Sequence, residues 1–134
     1  MIGNKFLLFF LAASVLIANS CVHKELDGKW KVESIDSVEI GDTFNEPSLE
    51  INSAERKYYG VTGVNNLNGN ISIDEDKINF SDGPMTKMAA DPHSMEVESA
   101  YIHALGSVTN YSIVDGKLYL KNISGQTVMV LVAQ

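Results

Sequence analysis

From Leu26 onward the apolar side chains recur mostly at every second residue, in short runs broken by turn residues. That period restricts the chain to strands with one buried and one wet face. Trp30 and Val32 alternate with Lys29, Lys31 and Glu33; Leu49 and Ile51 with Ser48, Glu50 and Asn52; Ile71 and Ile73 with Asn70, Ser72 and Asp74. Ile78 and Phe80 resume the pattern after a Glu75-Asp76 turn, and residues 58–62 are rich in aromatic and β-branched side chains. Asp115-Gly116 is the strongest turn signal, because a tight hairpin needs positive φ at both central residues and this pair tolerates it. It joins residues 111–114 to 117–121. Thr127–Ala133 is nearly continuous in apolar residues, which predicts a central strand covered on both faces.

One helix interrupts the strands. Asp91 suits the N-cap, Pro92 the first helical position, and Gly106 a stop. Val97, Ala100, Tyr101, Ala104 and Leu105 fall on one stripe, which predicts their burial and leaves Glu96, Ser99 and His103 facing water. About eight strands and one helix without βαβ alternation predict an α+β fold, mainly antiparallel β: a small, partly closed barrel with the helix packed across it. Trp30, Leu49, Ile51, Ile71, Ile73, Phe80, Leu118, Leu120 and the helix stripe are expected to fill its interior.

The first 20 residues read differently. Lys5 supplies a cationic start, Phe6 to Ile17 is an apolar run, and Ala18-Asn19-Ser20 is small and polar, the three-part plan of a secretory signal. As a helix the run reaches about 18 Å, short of the roughly 30 Å of bilayer hydrocarbon. Cys21 follows directly and is the only cysteine. The junction resembles a lipobox, whose cysteine is acylated before cleavage, although Ala18 stands where Leu is usual. Ala18 and Ser20 would also serve ordinary signal peptidase. The expected organisation is a signal at 1–20, a lipidated Cys21 and tether over 21–25, and one domain over 26–134. Val22 stands in place of the Asp associated with inner-membrane retention, so in a Gram-negative host the outer membrane is expected, and in a Gram-positive host the outer face of the cell membrane.

A net charge of −7 argues against nucleic acid, which needs a basic face to displace counterions, and against an anionic lipid surface. The membrane partner is therefore reached through lipid on Cys21.

Leu26-Asp27-Gly28-Lys29-Trp30, then Gly63-Val64-Asn65-Asn66-Leu67-Asn68-Gly69, then Met85-Thr86-Lys87-Met88-Ala89-Ala90, then residues 111–120 together resemble the META/HslJ family in order and spacing. The resemblance covers nearly all of the chain from Leu26. It implies an envelope protein associated with heat-inducible expression and secretion, without an established catalytic activity, and a partly open barrel akin to lipoprotein pilotins. Trp30, Gly63, Val64, Asn65, Gly69, Thr86, Met88 and Ala90 are then structural motif positions. Many members carry cysteines where this chain has Val64 and Ala90, so the resemblance also implies that these two lie side by side. An apolar contact would then replace a crosslink nominally contributing about 3 to 4 kcal/mol.

No catalytic constellation appears. There is no Gly-x-Ser-x-Gly, and a lipidated Cys21 cannot act as a nucleophile. His23, His93 and His103 lack the i, i+4 spacing of a helical metal pair. Asp91, His93 and Glu96 could gather at the helix start, but a cap with a first-turn acid explains them without a metal. Asp74 to Asp76 lack the further ligands of a calcium loop and read as a hairpin tip. Asn65, Asn66, Asn68 and Asn70 could bind a sugar or an ion, yet Asn favours turns, so a structural turn is expected. Asp36-Ser37-Val38 resembles a bacterial O-glycosylation tripeptide, too short to carry an assignment. No cofactor or metal is expected.

The leading expectation is a non-enzymatic envelope lipoprotein with a protein partner or a role under envelope stress. A lipocalin-like carrier of a small apolar ligand is the alternative and an enzyme a third reading. Trp30, Tyr58, Tyr59, Met85 and Met88 could line a pocket, but aromatic and Met residues at such spacings are more often core.

Overall fold

The computed structural model describes residues 23–134; the signal segment and Cys21 lie outside them. Eight strands follow the alternating runs: β1 (Gly28–Ile35), β2 (Ser48–Asn52), β3 (Lys57–Val61), β4 (Asn66–Asp74), β5 (Lys77–Phe80), β6 (Val108–Val114), β7 (Lys117–Asn122) and β8 (Thr127–Ala133). Each pairs antiparallel with its neighbour in sequence, and β8 returns to β1, giving a closed barrel. The thinnest seam is between β5 and β6, where Lys77 opposite Asn110 is the one registered pair. The connection there is the long one, from Phe80 through α1 (Pro92–Ser107), the one helix among the described residues.

Hairpin chemistry sets much of the register. Asp115 and Gly116 both take positive φ, 51° and 78°, between Val114 and Lys117. Glu75, at φ 56°, lies in the β4–β5 tip, so the Asp74 to Asp76 run is indeed a turn. The Asn-rich stretch departs from expectation: Asn66 to Asn70 are not a turn but the first half of β4, paired with Lys57 to Val61. Inward Leu67 and Ile71 against β3 outweigh the turn preference of the asparagines.

The interior is filled by Trp30, Leu49, Ile51, Tyr58, Ile71, Phe80, Leu118, Leu120, Met129 and Leu131. Ile73 packs against this core only partly buried. Each such side chain contributes about 1.5–3 kcal/mol on burial. Tyr58 and Phe80 meet edge to face, with centroids 5.3 Å apart at 87°. Of the aromatic and Met residues weighed for a pocket, Trp30 and Tyr58 are core, Met85 is partly buried, and Tyr59 and Met88 are exposed. β8 is central, but Val130 and Val132 stay half-buried on its outer face instead of being covered.

Asp91 caps α1 by accepting from the Ser94 N–H at 3.0 Å and the Ser94 hydroxyl at 2.7 Å, which hold its carboxyl below the usual range. Pro92 opens the helix. Gly106 does not stop it: the helix runs on through Ser107, and extended Val108 closes it by donating to the Leu105 carbonyl before entering β6. Burial of Val108 anchors that strand start. Val97, Tyr101, Ala104 and Leu105 are buried, Ala100 is half-buried, and Glu96, Ser99 and His103 face water. Buried Tyr101 reaches through to donate from its hydroxyl to the Ser48 carbonyl at 2.8 Å, and burial raises its pKa strongly.

Tyr101→Phe is expected to lower unfolding free energy by about 1–2 kcal/mol by orphaning Ser48, and Tyr101→Asp to abolish the cooperative thermal transition. A wild-type melt for Tyr101→Asp, followed by circular dichroism, would mean that the stripe is misassigned.

Candidate functional site

Most polar chemistry buried in the barrel converges on one helical side chain, Glu98. It is 7% exposed, and its Oε2 accepts from the Thr62 hydroxyl at 2.5 Å, the Asn65 N–H at 3.1 Å and Asn65 Nδ2 at 2.9 Å. Among the described residues no Lys or Arg pairs with it; the carboxylate is held by hydrogen bonds alone. The short hydroxyl contact is typical of a charge-assisted bond.

Asn65 relays this anchor outward. Its Oδ1 accepts from the Met88 N–H at 2.7 Å and the Thr86 hydroxyl at 3.0 Å, while Nδ2 also donates to the Met88 carbonyl at 3.1 Å. Thr86 Oγ1 in turn accepts from the Asn66 N–H at 3.0 Å. One fully used carboxamide therefore ties the β3–β4 connection, the segment before the helix, and the helix itself. Gly63 enters the connection at φ 113°, where a side chain would be strained and its Cβ would lie 3.3 Å from Val97 Cγ1. The Asn45 N–H donates to the Gly63 carbonyl and its Nδ2 to that of Val64, both at 2.8 Å.

The motif positions thus have physical roles. Trp30 fills the core and donates from Nε1 to the Leu26 carbonyl at 2.9 Å. Asp27 accepts from the Ser53 N–H at 2.7 Å, closing the base of the barrel onto the β2–β3 turn. Gly69 leaves room for the Tyr58 ring, since a Cβ there would lie 2.8 Å from Tyr58 Cε1. Val64 is fully buried and Ala90 half-buried, on segments joined by the Asn65–Met88 bonds.

The catalytic and metal candidates are occupied otherwise. Asp91 is the cap, His93 Nε2 lies 2.6 Å from the Ile40 carbonyl, and Glu96 stands 4.0 Å from His93 Nδ1 at the surface. His103 faces water, and His23 belongs to a turn at residues 23–26, its N–H donating to Ser53 Oγ. Among the described residues no three His, Cys, Asp or Glu side chains converge on a metal-sized site, and every buried side-chain nitrogen and oxygen has a partner.

Glu98, Thr62 and Ser94 were missed by the sequence reading. The signal was present: Ser94, Val97, Glu98, Tyr101 and Leu105 share the i, i+3, i+4 face. The apolar stripe alone does not mark the polar members of that face.

A closed eight-stranded antiparallel barrel crossed by one helix, its loops held by a buried polar relay, defines a class of small β-barrel domain. The family model of the META domain matches residues 24–134, and the chain belongs to that family. Among solved structures it is similar to an NMR structure of a protein from Burkholderia xenovorans (20% identity, 88% of this chain and 92% of that chain, TM-score 0.63). A crystal structure of a DUF4847 family protein from Bacteroides vulgatus is also similar (14% identity, 81% and 94% coverage, TM-score 0.57). At these identities the likeness shows the fold. No curated protein matches the chain.

Two predictions follow from the relay. Glu98→Ala strands the Asn65 donors and the Thr62 hydroxyl, and is expected to cost about 3 kcal/mol in denaturant unfolding. Hydrogen exchange should quicken first at the Asn65 and Met88 amides; unchanged exchange there would remove Glu98 from its anchoring role. A Val64→Cys/Ala90→Cys double variant is expected to crosslink on mild oxidation and to melt higher when oxidised. Failure to crosslink would place the two Cα atoms beyond the roughly 4.4–6.8 Å that a disulfide spans.

Proposed function

We propose that the chain is a lipid-anchored protein of the bacterial envelope, exported by its N-terminal signal, acylated at Cys21 and held at the outer membrane. Its META domain serves there as a non-catalytic binding module with an envelope-protein partner or a role under envelope stress. The observation that carries the anchor is position: the single cysteine directly follows a short apolar run and the small or polar residues Ala18, Asn19 and Ser20. Several acyl chains, at about 0.8 kcal/mol per buried CH₂, suffice for stable attachment without a spanning segment.

The non-catalytic reading is supported by where the reactive residue types are spent. Asp91, His93, Glu98 and Thr62 each have a structural partner, which leaves the outer surface as the working face.

One observation favours a second reading. The up-and-down order of eight strands is that of barrels that hold a single small ligand, and a carrier of a small apolar molecule would use it. Against it, large side chains such as Trp30, Tyr58, Leu120 and Met129 point into this barrel, and among the described residues no buried side-chain nitrogen or oxygen lacks a partner.

Metabolic labelling with an alkynyl palmitate analogue is expected to mark the wild type in the membrane fraction and leave Cys21→Ser unmarked. Equal labelling of both would overturn the anchor. Lipid co-purifying in stoichiometric amount with the Cys21→Ser variant, which carries no covalent acyl chain, would favour the carrier.

A further inference from the structure

β4 is a strand with an unfavourable sequence on one face. Asn66, Asn68 and Asn70 occupy alternate positions pointing away from the core, while Leu67 and Ile71 pack inward and Gly69 accommodates Tyr58. Asn is among the residues that strands avoid, and nothing in the packing of β4 requires it three times. The hydrogen bonds these residues make run through their backbones: Asn66 N–H to Thr86, Asn68 N–H to Pro84, Asn70 N–H to Ser81. Among the described residues their carboxamides have no partner. Asn65, one residue earlier, uses its whole carboxamide inside the fold.

Beside this row stands Tyr59, opposite Asn68 in the β3–β4 register and 47% exposed. The register continues Asn68, Tyr59, Glu50 and Lys29 across four strands, with Lys57 opposite Asn70 in the next row. Two open concavities of about 250 and 330 Å³ adjoin here and share Tyr59 and Asn68. Lys57, Asn70 and Asp82 border the first; Lys29, Glu50 and Asn66 border the second.

We propose that this outer face of β3 and β4 is a binding site for a neutral oligosaccharide. An exposed aromatic ring offers an apolar surface to the C–H face of a sugar ring. Each carboxamide presents a donor and an acceptor side by side, which matches neighbouring hydroxyls that both give and take hydrogen bonds. Two lysines and two carboxylates balance locally, so the face has no net pull on a charged ligand, and desolvating hydroxyls is far cheaper than desolvating ions. Ring stacking and free carboxamides would also suit a single-stranded nucleic acid, but the −7 net charge opposes the phosphates. The proposal deepens the reading that the outer surface is the working face and is independent of the lipid on Cys21.

The test is saturation-transfer NMR on the full chain in zwitterionic detergent, with millimolar N-acetylchitotetraose and maltotetraose as separate probes. Tyr59→Ala, Asn68→Ala and, as a control on the outer face of β7, Tyr119→Ala are compared after thermal melts establish that each is folded. At least one saccharide should receive transfer from the wild type and Tyr119→Ala, with affinity weakened about tenfold or more in Tyr59→Ala and Asn68→Ala. No transfer from the wild type to either saccharide, undiminished transfer in Tyr59→Ala, or an equal loss in Tyr119→Ala would overturn the proposal. None of these outcomes bears on fatty-acid labelling at Cys21, so the two readings fail separately.

Discussion

A carboxylate buried with no cation beside it is the constraint on which the upper half of this barrel depends. Glu98 costs several kcal/mol to desolvate, and that cost is offset only if every donor around it is aimed correctly. Thr62 and Asn65 supply those donors from the β3–β4 connection, so the connection must adopt the conformation that brings them to the helix. Asn65 has a second set of bonds to make, and Thr86 and Met88 make them. Three segments distant in sequence are thereby set in one arrangement by directional bonds, whereas apolar packing alone would tolerate small slips.

The same relay explains why the barrel can close where its pairing is weakest. β5 and β6 meet through one registered residue pair because the chain leaves the sheet after Phe80 and returns only at Val108. Between those points, Ser81, Pro84 and Thr86 bond to the outer edge of β4 in place of a strand, and α1 lies across the barrel against β8, β1 and β5. Closure limits the strand edge open to another chain, among the described residues, to the thin β5–β6 seam, a useful property for a protein with so many β-forming segments. It also means that polar strand residues on the outside, such as the β4 asparagines, need not defend an edge and are available for recognition.

Val64 and Ala90 fit this picture. Where relatives are expected to hold the two segments covalently, this chain has a buried valine and a half-buried alanine beside the Asn65 bonds. The polar relay and the burial of Val64 then hold the connection to the pre-helix segment.

The alternation of Trp30 with Val32, of Leu49 with Ile51 and of Ile78 with Phe80, the Asp115-Gly116 hairpin and the Asp91-Pro92 helix start were all legible in the sequence. Each is decided within a few residues, by side-chain period, φ preference or capping. What only the tertiary structure decided depends on partners far along the chain. Asn66 to Asn70 became strand because β3 and the Ser81 to Thr86 segment flank them, overriding a local turn preference. Gly106 stayed helical because Val108 is anchored in the core and the helix is closed from there. Glu98 is a surface residue by composition and the central buried acceptor by contact, since its donors lie more than thirty residues away. A period can say which face is covered; it cannot say what meets a polar side chain there, because that is set by which distant donors the fold brings within about 3 Å.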